Sequence, residues 1–402
     1  MISKQLVICG GGNSAHTLIP LLKDSIFEVS IFTSRPKLWH KTIELEWQNP
    51  AGEVVGKYSG ELKKASDNPQ ELFPDADYIV FCMPVHQYRV ALRTIAPFLN
   101  RNKPVVIGTV YGQGNWKWMI DEIRKGYGFN NLIAFSFGLI PWVSRQVEYG
   151  HRGLIYGCMS DNYVAVDPIS CFELVNQEFF DQICFKWFGK GKADLSENFI
   201  SLALSVDNQI IHTARCCGLH KKYGRTWEKI EDVPLFYRTF DELSAHLMEG
   251  LDREYSKIRE TIKLMHPERK FKHMVDYLTL EYFSHKYWSL DVMDSILSSQ
   301  TLHSIKTPVI QNELGTWEID KNHRFFLDDI YYGNCIAKWM AEQLGIQTPV
   351  LNDILRWAQS VRGERIIDEY DHLLIDSPDL NVPLKTGIPS VYGFNSIEDC
   401  IC

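Results

Sequence analysis

At 402 residues the chain is long enough for two domains, and its 45% hydrophobic and 23% charged residues are the proportions of an ordinary globular protein. A formal net charge of -8 without a long Lys/Arg block argues against nucleic acid as a partner, and the absence of any run of eighteen apolar residues argues against a membrane span. The ten cysteines are scattered, several of them inside apolar runs (Cys9, Cys82, Cys184), and the apolar run at Leu6 is too short for a signal peptide, so a reducing, cytoplasmic setting is expected.

The opening stretch QLVICGGGNSAHT, residues 5–17, reads as strand, tight turn and helix. Gly10, Gly12 and Ala15 fit G-x-G-x-x-G/A, in which the first Gly makes the turn, the second lets the backbone approach a pyrophosphate, and the third small residue packs helix on strand. With Gly11, Asn13 and Ser14 they form a candidate cofactor turn, where free N–H groups and the helix dipole favour phosphate. Phe27–Phe32 follows as the second strand. At its end an NAD-preferring domain would place a carboxylate for the ribose 2′-OH, whereas here the chain runs Thr33-Ser34-Arg35. Hydroxyls and a guanidinium can bind a 2′-phosphate, so NADPH is favoured; the alternative is NADH, with Arg35 stacked on adenine or in solvent.

Residues 42–67 read as a hairpin or extended insertion. Tyr78–Met83 is a continuous apolar run of the kind a central parallel strand needs, and Met83, Pro84 and His86 at its end are expected to line the adenosine half of the crevice. A helix over 85–99, a strand over 104–107 and a loop over 108–114 come next, with Gln113 in that loop as a candidate partner for a substrate carboxylate. Leu132–Phe137 is the fifth strand of an α/β, doubly wound sheet. Segments 147–158 and 162–166 are expected as antiparallel edge strands, and 172–188 as a last helix. These elements make a Rossmann-type dinucleotide-binding domain over residues 1–195.

From residue 196 to about 359 the apolar spacing is helical: Phe199 to Ile210, Leu243 to Ile262, Met274 to Val292 and Asp329 to Leu344. Residues 196–402 therefore read as a mainly α-helical substrate and catalytic domain, ending in an irregular tail over 368–402. Two clusters there could supply acid, base and carboxylate anchor. Asn208 and His212 are four apart on one helix face, and His is the side chain best suited to pass a proton near neutral pH. Around Arg324, which can grip a carboxylate through two bonds, Asp328 and Asp329 either cap a helix or accept a hydrogen bond from His212; the spacing leaves both open.

Together these segments resemble the octopine/nopaline (opine) dehydrogenase family, most closely its invertebrate octopine- and tauropine-type branch. The likeness runs through CGGGNSAHTL, SFGLIPW with Arg145 after it, His212, Val233–Tyr237, HRFFLDDIYYG, ILRWAQ and YGFNSI, over nearly the whole chain. It implies a reductive condensation: a 2-oxo acid, usually pyruvate, forms an imine with the amine of an amino acid, and NAD(P)H delivers hydride to the imine carbon. It also implies that His212 is the catalytic acid/base, Asp329 its partner, and Arg324 the arginine near the substrate carboxylate. Gly138 departs from the pattern, standing where arginine-using members carry an acidic residue, which turns the expectation toward a smaller or uncharged donor such as alanine, glycine, β-alanine or taurine. The expected partners are small molecules, with no metal ligand set, and the chain is expected to act as a monomer or homodimer. Two other readings are a ketopantoate- or glycerol-3-phosphate-type carbonyl reductase, which would need a lysine that the His212 helix does not place beside it, and a nicotinamide-sensing binding protein.

Overall fold

The computed structural model describes residues 3–49, 51–299, 302–303, 305–374 and 386–401. It divides into two compact units, Met1–Leu202 and Ala203–Cys402. Among the described residues no helix is long and apolar enough to cross a membrane.

The first unit is built on one sheet of eleven strands. They are β1 (Lys4–Cys9), β2 (Phe27–Phe32), β3 (Thr42–Gln48), β4 (Val54–Ser66), β5 (Tyr78–Phe81), β6 (Val105–Thr109), β7 (Leu132–Phe137), β8 (Trp142–Glu148), β9 (Arg152–Cys158), β10 (Asp161–Asp167) and β11 (Lys192–Leu195). The order is β11-β10-β7-β6-β5-β1-β2-β4-β3-β9-β8. Its centre, β7-β6-β5-β1-β2, is entirely parallel and consists of the five expected strands. Strands β5, β6 and β7 are buried at every position, which is why they read as unbroken apolar runs. The strand order reverses at β1, so the loops leaving the carboxyl ends of β1 and β5 lie side by side at the topological switch point.

The flanks differ from expectation. Residues 42–67 are a β3–β4 hairpin whose second strand runs on to pair in parallel with β2, so they extend the sheet. Segment 147–158 is the turn and second strand of a hairpin, β8–β9, and it adds to β3 rather than to the β7 edge. The turn is forced at Gly150 (φ +71), where a Cβ would lie 2.1 Å from the Leu38 carbonyl oxygen. Strand β10 is antiparallel to β7 as expected, but β11 covers its outer side.

Segment 172–188 is not one helix. It opens into a wide π-type turn over Asn176–Phe180 and breaks at Cys184 (φ -130). The adjacent Phe179 and Phe180 are both buried, at 0% and 2% exposure, and a regular helix would carry one of them off the core face.

The second unit is helical, with a small sheet ordered β12 (Thr226–Trp227), β14 (Trp317–Ile319), β13 (Val309–Gln311). Its main helices are Asn208–Tyr223, Glu242–Met265, Tyr277–His285, Val292–Ser298, Cys335–Gln343 and Pro349–Arg362. Three of the four helical stretches are interrupted. Residues 199–210 split into Phe199–Leu204 and the helix that begins at Asn208, with Ser205 Oγ tied to both the N–H and the carbonyl of Val275 in the gap. Residues 274–292 stop at Lys286, which takes a left-handed φ of 59. Residues 329–344 begin as a wide turn, Ile330–Asn334, before the helix at Cys335. Part of the expected tail, 375–385, lies outside the described residues. Residues 386–401 include a helix, Ile397–Ile401, that buries Ile397, Cys400 and Ile401.

Candidate active site

In the first unit the turn after β1 is made by the three glycines. Gly10 takes φ +100, and a Cβ there would lie 2.7 Å from Cys82 O and 2.8 Å from Met83 Cβ, so only glycine fits. At Gly12, by contrast, the nearest atom to such a Cβ is 3.7 Å away, which leaves open space above the helix N-terminus. The helix Asn13–Leu21 starts there with Gly12 as its N-cap and no side-chain cap, while Ala15 is fully buried against the sheet. Asn13 is tied down through Oδ1, which accepts from Gln146 N at 2.8 Å; Ser14 is half-buried. Open space beside uncapped helix N–H groups is what a pyrophosphate requires.

Thr33 and Arg35, expected at the cofactor, meet over this turn with Tyr149, Trp39 and His16, to which no sequence pattern points. Tyr149 in the β8–β9 turn would meet a Gly11 Cβ at 2.6 Å with its hydroxyl, so a side chain at the middle glycine would displace the tyrosine. Thr33 Oγ1 lies 3.2 Å from that hydroxyl, and Trp39 Nε1 donates to it at 3.4 Å. The Arg35 guanidinium stands 3.8 Å from the Tyr149 ring centroid, a cation–π contact that holds it at the end of β2, where Ser34 and Arg35 are exposed. His16, fully buried, joins the turn to the hairpin. Its Nε2 accepts from Gly150 N at 2.7 Å, so Nδ1 carries the proton donated to Gly12 O at 2.9 Å. Burial lowers its pKa below the usual value, which keeps that tautomer neutral.

The other expected residues of this unit lie at strand ends. Met83, Pro84 and His86 follow β5 and are half-buried, Gln113 in the loop after β6 is buried, and Gly138 after β7 donates to Tyr163 O at 2.8 Å. A Cβ on Gly138 would face Leu202 at 3.3 Å and Tyr163 at 3.6 Å. His40, Glu148 and His151 bring possible ligand atoms within 4.8 Å of one another. Their two imidazoles, however, are stacked at 4.3 Å and 11°, and lone pairs in nearly parallel ring planes do not converge on one ion.

In the second unit His212, on the Asn208–Tyr223 helix, is 1% exposed and Asp329 is 0% exposed. His212 Nδ1 lies 2.8 Å from Asp329 Oδ2 and Nε2 lies 2.9 Å from the Tyr237 hydroxyl. Of the two aspartates left open by spacing, Asp329 therefore takes the histidine. Asp329 also stands at the N-cap position of the Ile330–Asn334 turn, but its side chain makes no cap hydrogen bond there; the N-cap of the short helix Arg324–Leu327 is His323, whose Nδ1 accepts from Phe325 N. Phe325 stacks on the imidazole at 3.7 Å and 24°, and Phe236 stands edge-on at 5.6 Å.

Burial, and then the Arg324 guanidinium, push the His212 pKa well below 6.5, which favours the neutral imidazole at rest. The same two causes hold His323 at about 4. Arg324 is half-buried at the start of its short helix, with its charge felt at both histidines and at Asp207. Burial raises Asp207 to about 6, with Arg324 opposing. Asn208 is half-buried and held through its backbone N–H to Asp207 Oδ1 at 2.7 Å, one turn before His212. Tyr237, Phe236 and Asp207 were not expected at the site; the one signal for the two aromatics was the Val233–Tyr237 segment, which carries no side-chain spacing that points to His212, and Asp207 had none.

A parallel doubly wound sheet with a glycine turn at its switch point, followed by a helical unit with a buried His–Asp pair, defines a dinucleotide-dependent oxidoreductase fold. Residues 195–362 match the family model for the NAD/NADP octopine/nopaline dehydrogenase alpha-helical domain. An opine dehydrogenase of Haliotis discus hannai is 24% identical over 98% of this chain and 97% of its own length. An octopine dehydrogenase of Pecten maximus is 22% identical over 98% of both. The solved structure of an octopine dehydrogenase in complex with NADH and agmatine aligns with a TM-score of 0.80 and 19% identity, covering 99% of this chain and 98% of that one. The resemblance to the opine dehydrogenases read from the sequence thus holds over nearly the full length, in sequence and in fold.

Proposed function

We propose that the protein is an opine dehydrogenase, an NAD(P)-dependent oxidoreductase acting on CH–NH bonds. It would join a 2-oxo acid, in the first instance pyruvate, reversibly to the amine of an amino acid. The observation that carries this reading is the buried His212–Asp329 pair under the charge of Arg324. A reduced nicotinamide dinucleotide fits the turn at Gly10, Gly11 and Gly12, with Asn13, Ser14 and Ala15 beyond it and Met83 and Pro84 beside it; when bound it supplies the hydride for the imine carbon.

This chain's own residues do the rest. In the second unit Arg324 can neutralise the oxo acid's carboxylate through two bonds, and in the first unit Gln113 is a candidate partner for a substrate carboxylate. Asp329 accepts from Nδ1, fixing the tautomer and stabilising the imidazolium that forms when Nε2 gains a proton. His212 then delivers that proton as water leaves the condensed pair, and recovers one in the reverse direction. Thr33, Ser34 and Arg35 support NADPH over NADH, because hydroxyls and a guanidinium held 3.8 Å from the Tyr149 ring centroid can bind a 2′-phosphate. Gly138, with apolar neighbours and no acid, supports a small or uncharged amine donor. All nine cysteines among the described residues are free, in keeping with a cytoplasmic enzyme.

The test is oxidation of NADPH and of NADH by the purified protein with pyruvate, alone and with each of a panel of amino acids and taurine. Oxidation only when an amine is present is the expected result and names the donor. Oxidation with pyruvate alone would overturn the condensation in favour of simple carbonyl reduction.

A further inference from the structure

The imidazole of His212 is enclosed on its reacting side. A carboxylate can only accept, so Asp329 leaves the proton on Nδ1, and the lone pair of the neutral ring sits on Nε2. The Tyr237 hydroxyl, 2.9 Å away, is placed to donate into that lone pair. Phe325 covers one ring face, and Tyr237 is itself only 6% exposed.

Tyr237 lies outside any helix or strand, on the turn between Pro234 and Asp241, yet its position is firmly set. Arg215, three residues along the helix from His212 and fully buried, spends its guanidinium on that turn. It donates to Phe236 O at 2.9 Å, Leu235 O at 3.2 Å, Thr239 O at 2.8 Å and Asp241 Oδ2 at 3.0 Å. A buried guanidinium is costly unless each N–H is satisfied, and here three backbone carbonyls of the turn that carries Tyr237, with the Asp241 carboxylate and the Ser244 and Thr239 hydroxyls, satisfy it. One helix therefore presents the histidine and, through Arg215, fixes the phenol against it.

We propose that Tyr237 is a catalytic residue of the condensation, the hydroxyl through which His212 exchanges its proton with the substrate. In the condensing direction the attacking amine gives up a proton to Tyr237 Oη as the Tyr237 O–H proton passes to Nε2, which forms the imidazolium; its Nε2–H bond then breaks as that proton passes back to Tyr237 Oη. The Tyr237 O–H bond breaks as that proton passes to the hydroxyl leaving the condensed pair as water. The imidazole ends neutral and the phenol unchanged; in the reverse direction both protons move the other way. This rests on His212 as the acid/base of the proposed reaction.

Tyr237→Phe keeps the ring, which packs at 5.0 Å from Phe236, and removes only the hydroxyl. Two readouts are needed. In protein labelled with 15N-histidine and free of substrates, the His212 Nε2 resonance is expected to move in the variant while the Nδ1–H signal stays; an unmoved Nε2 overturns the proposal without reference to activity. With the amine and oxo acid that the wild type turns over, kcat is expected to fall about 100-fold, within the range of general acid–base steps, with the KM for pyruvate and the affinity for the dinucleotide within twofold. A kcat within twofold of wild type also overturns it. A wild type that uses no amine counts against the proposed function instead, and the nitrogen spectrum then decides the Tyr237 contact alone.

Discussion

The glycine turn and the His212 centre are made of different materials. The first lies within six consecutive residues, Gly10 to Ala15, and works through backbone: free N–H groups, a positive φ at Gly10 and the absence of Cβ atoms where Cys82 and Tyr149 approach. The second draws His212, Tyr237, Arg324 and Asp329 from well over a hundred residues of chain and works entirely through side-chain atoms, with His212, Tyr237 and Asp329 buried and Arg324 half-buried beside them. A backbone site is broken by adding an atom, a side-chain site by removing one. The first tolerates change in the side chains around it; the second tolerates almost none.

The largest effect that would test this contrast is at the side-chain site. His212→Ala is expected to lower kcat on the order of 1000-fold, as loss of a general acid–base group does, while dinucleotide affinity, followed by fluorescence titration, stays within twofold. Unchanged turnover would remove His212 from the mechanism, and a parallel loss of cofactor binding would show that the two sites are not independently built.

Gly10→Ala is the converse experiment. A Cβ 2.7 Å from Cys82 O at φ +100 costs about 1–3 kcal/mol in strain. Dinucleotide affinity is expected to fall about tenfold to hundredfold, with the His212 ring-nitrogen spectrum unaltered. Normal affinity in this variant would mean that the turn does not hold the pyrophosphate.

Arg35→Ala should do least. Loss of a charge-assisted contact of about 1.5 kcal/mol would raise the Kd for NADPH roughly tenfold and leave that for NADH within twofold. If neither moves, the end of β2 does not read the 2′-phosphate; if both move equally, Arg35 acts on the adenine or on Tyr149 alone.

The same contrast separates the features that are legible in the sequence from those that are not. The five central strands are legible because each is buried on both faces and so appears as an unbroken apolar run. The glycine turn is legible because its requirement, no Cβ, is written in contiguous residues. Helix interruptions are not: the gap at 205–207 is held by Ser205 bonding to Val275, seventy residues on, and the bulge at Phe179–Phe180 arises because both rings pack into the core. The β8–β9 hairpin reads as a single strand because its pairing with β3 depends on residues a hundred positions away.

By itself the sequence determined the parallel nucleotide-binding sheet, the turn at Gly10–Gly12 and the helical character of the second half, because each follows from interactions between residues close along the chain or from burial of a whole segment. The resemblance pointed to Asp329 as the partner of His212, which the spacing left open; only the tertiary structure decided that the imidazole rests neutral, that Tyr149 closes over Gly11 and that Tyr237 stands on Nε2. Those outcomes depend on distances between residues far apart in sequence and on how completely water is removed from them, and local pattern carries neither quantity.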